Sequence, residues 1–140
     1  MGLKSKINGA KGETAVSRAL SSRGYWVHVI KRDRQGSQPC DIIASKGTYA
    51  RGDVTWLVDA KYVETGDRFD FSDVQPNQPE AMEYALGRCR LANVGFAIVF
   101  GEQIRFMPYH LYESLSEQGA KSVKAEELPT FEMLLNAVEG

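Results

Sequence analysis

The chain has 140 residues, 43% of them hydrophobic and 25% charged, with a net charge of −1 at pH 7. That is the size of one domain, 1–140, with the composition of an ordinary soluble globular protein, which excludes disordered and fibrous classes. No apolar run nears the roughly 18 residues of a membrane span, Met1 to Gly12 has no apolar signal core, and Cys40 and Cys89 are too few for a disulfide framework or a zinc site, so the expected setting is reduced and cytoplasmic, with no membrane.

Charge is unevenly spread. Residues 1–61 hold eleven Lys/Arg against five acids, and residues 62–140 hold six against thirteen. A basic half of this kind can meet a phosphate backbone, although the same split also arises from ordinary solvated faces.

In chain order, Asn8 or Gly9 opens a first helix, with Ala15, Val16, Ala19 and Leu20 at helical spacing and Gly24 as its stop. Glu13 falls early in it, where it also suits the helix dipole. Tyr25 to Ile30 is an aromatic, β-branched run that predicts a strand. Lys31-Arg32-Asp33-Arg34-Gln35-Gly36-Ser37-Gln38 follows as a polar basic loop. Pro39 to Ala44 predicts a second strand whose one charge is Asp41, and Lys46-Gly47 through Gly52-Asp53 reads as the turn after it. Trp56-Leu57-Val58-Asp59-Ala60-Lys61-Tyr62-Val63 returns as a buried strand. Side chains alternate along a strand, so Asp59 and Lys61 share a face. The two strands predict a hairpin with Asp41 and Asp59 facing each other about 5 Å apart, comfortable only around a cation or a shared proton.

Thr65 to Asp73 reads as a polar connection. A helix begins near Pro76-Asn77-Gln78-Pro79, with Ala81, Met82, Ala85, Leu86 and Cys89 as its stripe. Val94 to Phe100 is a strand apolar on both faces, and Gln103 to Tyr109 pairs back on it. Tyr109 to Gln118 predicts a short helix, Ala120 to Leu128 reads as acidic and weakly structured, and Pro129 to Val138 predicts a last helix. The whole is an α/β domain: one mixed central sheet flanked by helices on both faces, with a core over about 8–107 and a C-terminal helical extension over about 109–140.

Glu13, Asp41, Asp59-Ala60-Lys61 and Gln78 occur in that order along these elements. The set resembles the PD-(D/E)XK nuclease superfamily, which implies a restriction-endonuclease-like core. Within it, Gly12-Glu13, Cys40-Asp41-Ile42-Ile43, Val58-Asp59-Ala60-Lys61 and Phe69 to Val74 leading to Asn77-Gln78 are most similar to RecU-type Holliday junction resolvases, including those of phages and prophages. Cys40 separates Pro39 from Asp41, aspartate stands where RecU proteins usually have glutamate, and the Lys31–Gln38 loop is too short for the family's protruding stalk.

The resemblance implies metal-assisted phosphodiester hydrolysis on branched or four-way DNA by a homodimer, in a bacterial cytoplasm or, for a phage protein, that of the host. Asp41, Asp59 and the Ala60 carbonyl would hold Mg²⁺, with Mn²⁺ as the alternative. Lys61 would act on the attacking water or the phosphate charge, Glu13 through water or a second ion, and Gln78 on the water or a phosphate oxygen. Lys11, Lys31, Arg32, Arg34 and Lys46 are the candidate DNA contacts. The competing readings are a restriction or nicking nuclease of the same fold, a non-catalytic nucleic-acid-binding module, and an acidic interaction domain in which Asp59 and Lys61 form only a surface ion pair.

Overall fold

The branched and aromatic runs become the strands, and the segments between them fold as helices that cover both sides of the resulting sheet. The computed structural model describes residues 3–30, 40–49, 52–87 and 93–139. These form α1 (Leu3–Ser21), β1 (Trp26–Val29), β2 (Ile42–Thr48), β3 (Gly52–Val63), β4 (Arg68–Asp70), α2 (Asn77–Gly87), β5 (Asn93–Phe100), β6 (Gln103–Pro108), α3 (Tyr109–Glu117), β7 (Ser122–Lys124) and α4 (Phe131–Glu139). The main sheet has the order β1-β2-β3-β5-β6. Only β3 and β5 run parallel. A parallel pair needs a crossover, and the chain between them supplies it with β4 and α2.

Alternation along β3 sorts the core into two layers. Trp56, Val58 and Ala60 pack with Val16 and Leu20 of α1 and with Phe131 and Leu135 of α4. Leu57 packs on the other side with Phe96 and Ile98 of β5, Met82 and Ala85 of α2, and Tyr109 of α3. Trp56 anchors the first layer: its ring meets Phe106 and Phe131 edge-on, and its Nε1 donates to the Tyr25 hydroxyl at 3.1 Å. An indole that large is buried at low cost only with its N–H paired.

The stop at Gly24 forms as the sequence predicts. Tyr25 N–H bonds back to the Leu20 carbonyl and Gly24 N–H to that of Ser21, a Schellman closure with Gly24 at φ 89°. The start differs: α1 begins at Leu3, since Asn8 and Gly9 lie inside the helix rather than capping it. The hairpin differs too. Lys46-Gly47 is strand, not turn, and the ladder runs on to Thr48 opposite Gly52. Thr48 Oγ1 closes it by donating to the Gly52 carbonyl at 2.9 Å, and Ser45 and Thr55 hydroxyls bond across the strands.

The segment from Ala120 to Leu128 also departs from its polar reading. Ser122–Lys124 pairs antiparallel with Arg68–Asp70, placing Phe69 opposite Val123. Val123, Ala125 and Leu128 are buried in the core on the α2 side. Three apolar anchors in a polar stretch are enough to seat it, at about 25 cal/mol per Å² buried. No helix among the described residues is long and apolar enough to cross a membrane.

Candidate active site

β2 starts at Ile42, paired with Val58, so among the described strands only β5 lies beside the Asp59–Val63 stretch of β3. The paired register ends at Ile42, and Asp41, a bend just before it, sits against the same stretch of β3, close enough to Asp59 for their charges to act on each other. Asp41 N–H donates to the Val58 carbonyl at 3.0 Å, and Asp41 Oδ2 accepts the Ala60 N–H at 3.0 Å. The N–H and C=O of one strand residue leave along the same edge, so the Ala60 carbonyl faces the same opening. Both carboxylates are buried, Asp41 6% and Asp59 1% exposed.

Asp59 and Lys61 project from the α2 side of the sheet, where Gln78, in the first turn of α2, meets them. Gln78 Nε2 donates to Asp59 Oδ1 at 2.8 Å. Its Oε1 accepts from Lys61 Nζ at 3.2 Å and from Gln75 N–H at 2.9 Å. These three bonds fix which way the amide points. Lys61 Nζ also donates to the Asp73 carbonyl at 3.0 Å. The 3-10 turn Phe71–Asp73, followed by the buried Val74, carries that carbonyl to the ammonium.

Lys61 Nζ lies 2.9 Å from Asp59 Oδ2, an ion pair. Beyond that ion pair, Asp59 Oδ2 is a buried carboxylate oxygen with no hydrogen-bond partner. Burial pushes the Asp59 carboxyl up, Lys61 opposes it, and the Asp41 charge adds to it, leaving it at about 7. Cys40, buried beside this pair, has its thiol pushed up to about 12 by burial and then by the Asp41 and Asp59 charges, which makes it a poor nucleophile.

The other sequence candidates sit elsewhere. Gly12 is buried against β3, and a Cβ there would lie 3.3 Å from the Lys61 carbonyl carbon and oxygen. Helix α1 thus crosses β3 at Lys61, but on the face opposite Asp59. Glu13, half-buried, is the next residue of that helix. Lys11 is exposed, its Nζ 5.5 Å above the Tyr62 ring. Lys46 is engaged inside the fold: it donates to Glu139 Oε1 and to the Arg23 carbonyl. Lys31, Arg32 and Arg34 lie outside the described residues. The Asp73 carbonyl had no sequence signal, because a backbone acceptor is the same at every residue.

Among the described residues no three His, Cys, Asp or Glu side chains are placed to hold a metal ion together. The donor set is two carboxylates and one carbonyl, all hard oxygens. Mg²⁺ takes one or two carboxylates and keeps several waters, so this set suits it. Among the described residues, two buried carboxylates share the single Lys61 ammonium at Asp59 Oδ2, so a bound cation would offset charge that Lys61 alone balances.

No protein-family model matches the sequence, and no curated protein matches it. Among solved structures, the chain is similar to Archaeoglobus fulgidus Hjc, a Holliday junction resolvase from an archaeal hyperthermophile. The TM-score is 0.63 at 13% identity, covering 90% of this chain and 98% of that one. At that identity the likeness is one of fold: a five-stranded mixed sheet between two helical layers, restriction-endonuclease-like.

Proposed function

We propose that this chain is a divalent-metal-dependent endonuclease that hydrolyses phosphodiester bonds in branched DNA, four-way junctions above all. The observation that carries the reading is the buried Asp59 Oδ2, without a hydrogen-bond partner, beside Asp41 at an open sheet end. A fold shared with a protein described as a junction resolvase supports the substrate class.

Asp41, Asp59 and the Ala60 carbonyl are the residues that would hold Mg²⁺ or Mn²⁺. A bound divalent ion lowers the pKa of water and polarises a phosphoryl oxygen. Gln78 commits Oδ1 of Asp59 and leaves Oδ2 beside the Lys61 ammonium. Lys61 has three N–H donors. Two go to the Asp73 carbonyl and to Gln78, and the third, directed at Asp59, can turn to a phosphate oxygen as charge builds there. Glu13 supplies a further carboxylate, through water, from α1. Lys11, with Lys31, Arg32 and Arg34, provides backbone contacts that steepen the salt dependence of binding. Two symmetric cuts across a junction need two sites, so the active form is a homodimer.

The test is cleavage of an end-labelled four-way junction beside linear duplex, single-stranded and nicked DNA, with and without Mg²⁺, with Asp59→Ala as control. Paired nicks on the junction alone, absent in the variant, are the expected result. Cuts on every substrate would keep the nuclease and discard the junction preference. Cleavage that survives Asp59→Ala would remove the assignment.

A further inference from the structure

Strand β1 leaves two aromatic rings in solvent. Trp26 is 64% exposed. Its indole lies parallel to the His28 imidazole, with ring centroids 5.9 Å apart and 7° between the planes. A tryptophan on an edge strand is ordinarily turned inward or covered, because its large apolar face gains most from burial. Here the rings are held upright by each other, on the surface.

Their position follows from the register. Trp26 pairs with Ser45 and His28 with Ile43. Ser45 pairs in turn with Thr55, and Ile43 with Leu57. Paired residues share a face, so both rings stand on the side that carries Asp41 and Asp59. Helices α2 and α3 pack over β5 and β6 on that side. With strands about 4.8 Å apart and a rise of about 3.3 Å per residue, His28 lies roughly 12 Å from Asp59 between backbones. That span covers a few nucleotides: three to four at the ~3.4 Å rise of stacked DNA, fewer in an extended unpaired strand.

We infer that the Trp26–His28 pair is a stacking shelf for an unpaired base of the DNA substrate, a few nucleotides from the phosphate to be cut. This deepens the nuclease reading and rests on it. The gap of 5.9 Å is short of the ~6.8 Å that a base needs between two rings, twice the stacking distance. The base therefore lies on an outer face of the shelf rather than between the rings. The surroundings argue for nucleic acid over a second copy of the chain: the neighbours on this face include the Ser45 and Thr55 hydroxyls, too polar for the core of a protein interface. Aromatic faces accept any base, so the shelf would select unpaired structure rather than sequence.

The test uses the full chain with Ca²⁺ in place of Mg²⁺ and two fluorescein-labelled probes: a duplex carrying a single-stranded arm of thymidines, and a fully paired duplex of equal length. Binding is read by anisotropy for wild type, Trp26→Ala, Trp26→Phe and His28→Ala, with sedimentation of each protein. Trp26→Ala should weaken the armed probe by about five-fold or more, leave the paired duplex within two-fold, and be largely rescued in Trp26→Phe. Equal loss on both probes, or no loss on either, overturns the shelf. So does a change of oligomeric state in Trp26→Ala, which would make β1 an interface between copies. If no protein cleaves DNA in Mg²⁺ yet the selective loss appears, the nuclease reading fails and the shelf stands. If cleavage is normal and the loss is absent, the reverse holds.

Discussion

Gln78 donates through Nε2 to Asp59 Oδ1 at 2.8 Å, and both residues are buried. The same amide accepts from Lys61 Nζ, so one side chain on α2 holds an anion with its nitrogen and a cation with its oxygen. Neither alanine nor glutamate can do both. Gln78→Ala should lower metal affinity and cleavage by about 10- to 100-fold, the usual effect of removing a group that orients a metal ligand. It should also cost about 1–3 kcal/mol of stability by stripping a buried carboxylate of its donor. Gln78→Glu keeps the contact with Lys61 but places a third carboxylate beside Asp59. Its pH–rate profile should move to higher pH. A profile that stays in place would mean that Gln78 merely fills space.

Asp59 is expected to be a liability to the fold and a necessity to the function. Burial of an ionised carboxyl beside a second one is unfavourable unless a cation compensates. Asp59→Asn keeps the shape, keeps an acceptor for Gln78 and removes the charge. Without metal at pH 8 its Tm should rise by a few degrees, the size expected for about 1 kcal/mol in a domain of this length, while cleavage falls below detection. A fall in Tm would show that the Lys61 ion pair outweighs the burial.

The Asp59 carboxyl, raised from 3.8 to about 7, ties stability to pH in a defined direction. The native group holds its proton more tightly than the unfolded one does. Its contribution is therefore complete below about pH 4 and is lost as the pH climbs through about 7. On the metal-site proposal, Mg²⁺ would compete with that proton for the same oxygens. The rise in Tm on adding Mg²⁺ should be large at pH 8 and small at pH 5.5, measured by differential scanning fluorimetry. Equal shifts at both pH values would remove Asp59 from the metal site.

Much of this site was legible in advance because strand alternation is a strict rule. Asp59 and Lys61, two residues apart in an apolar run, had to share a face, and a hairpin with Asp41 had to set two carboxylates together. Gln78 was legible from its place near Pro79 in the opening turn of a helix. The β4–β7 pair was not legible. Phe69 and Val123 are single apolar residues in polar three-residue strands, too short for any period, and they lie far apart in sequence. Nor did Lys46-Gly47 look like strand, since glycine after lysine is turn chemistry; the ladder with Val54 and Asp53 overrode that local preference. The sheet face presented to α1 was the other blind spot. Glu13 shares a motif order with Asp41 and Asp59, but order alone says nothing about which side of the sheet a helix covers.

Lys46 and Lys11 look alike in sequence and should behave oppositely. Lys46 Nζ sits 2.9 Å from Glu139 Oε1, while Arg23 Nε holds Oε2 at 2.8 Å. The clamp joins the end of α1 and strand β2 to the last residues of α4. Burial pushes the Glu139 carboxyl up, but the hydrogen bonds and charges of Arg23 and Lys46 outweigh it and hold the group below its usual range. An acid with a depressed native pKa contributes stability above the unfolded value, about 4.5, and loses it as the pH falls further. Lys46→Ala should therefore lower Tm at pH 7, with the difference from wild type shrinking as the solution is acidified below pH 4.5, and leave DNA affinity within two-fold. Lys11→Ala should leave Tm alone. It should weaken every DNA probe alike and flatten the plot of log K against log salt by about 0.9, one phosphate contact. Loss of DNA affinity in Lys46→Ala with Tm unchanged would move Lys46 from the clamp to the DNA.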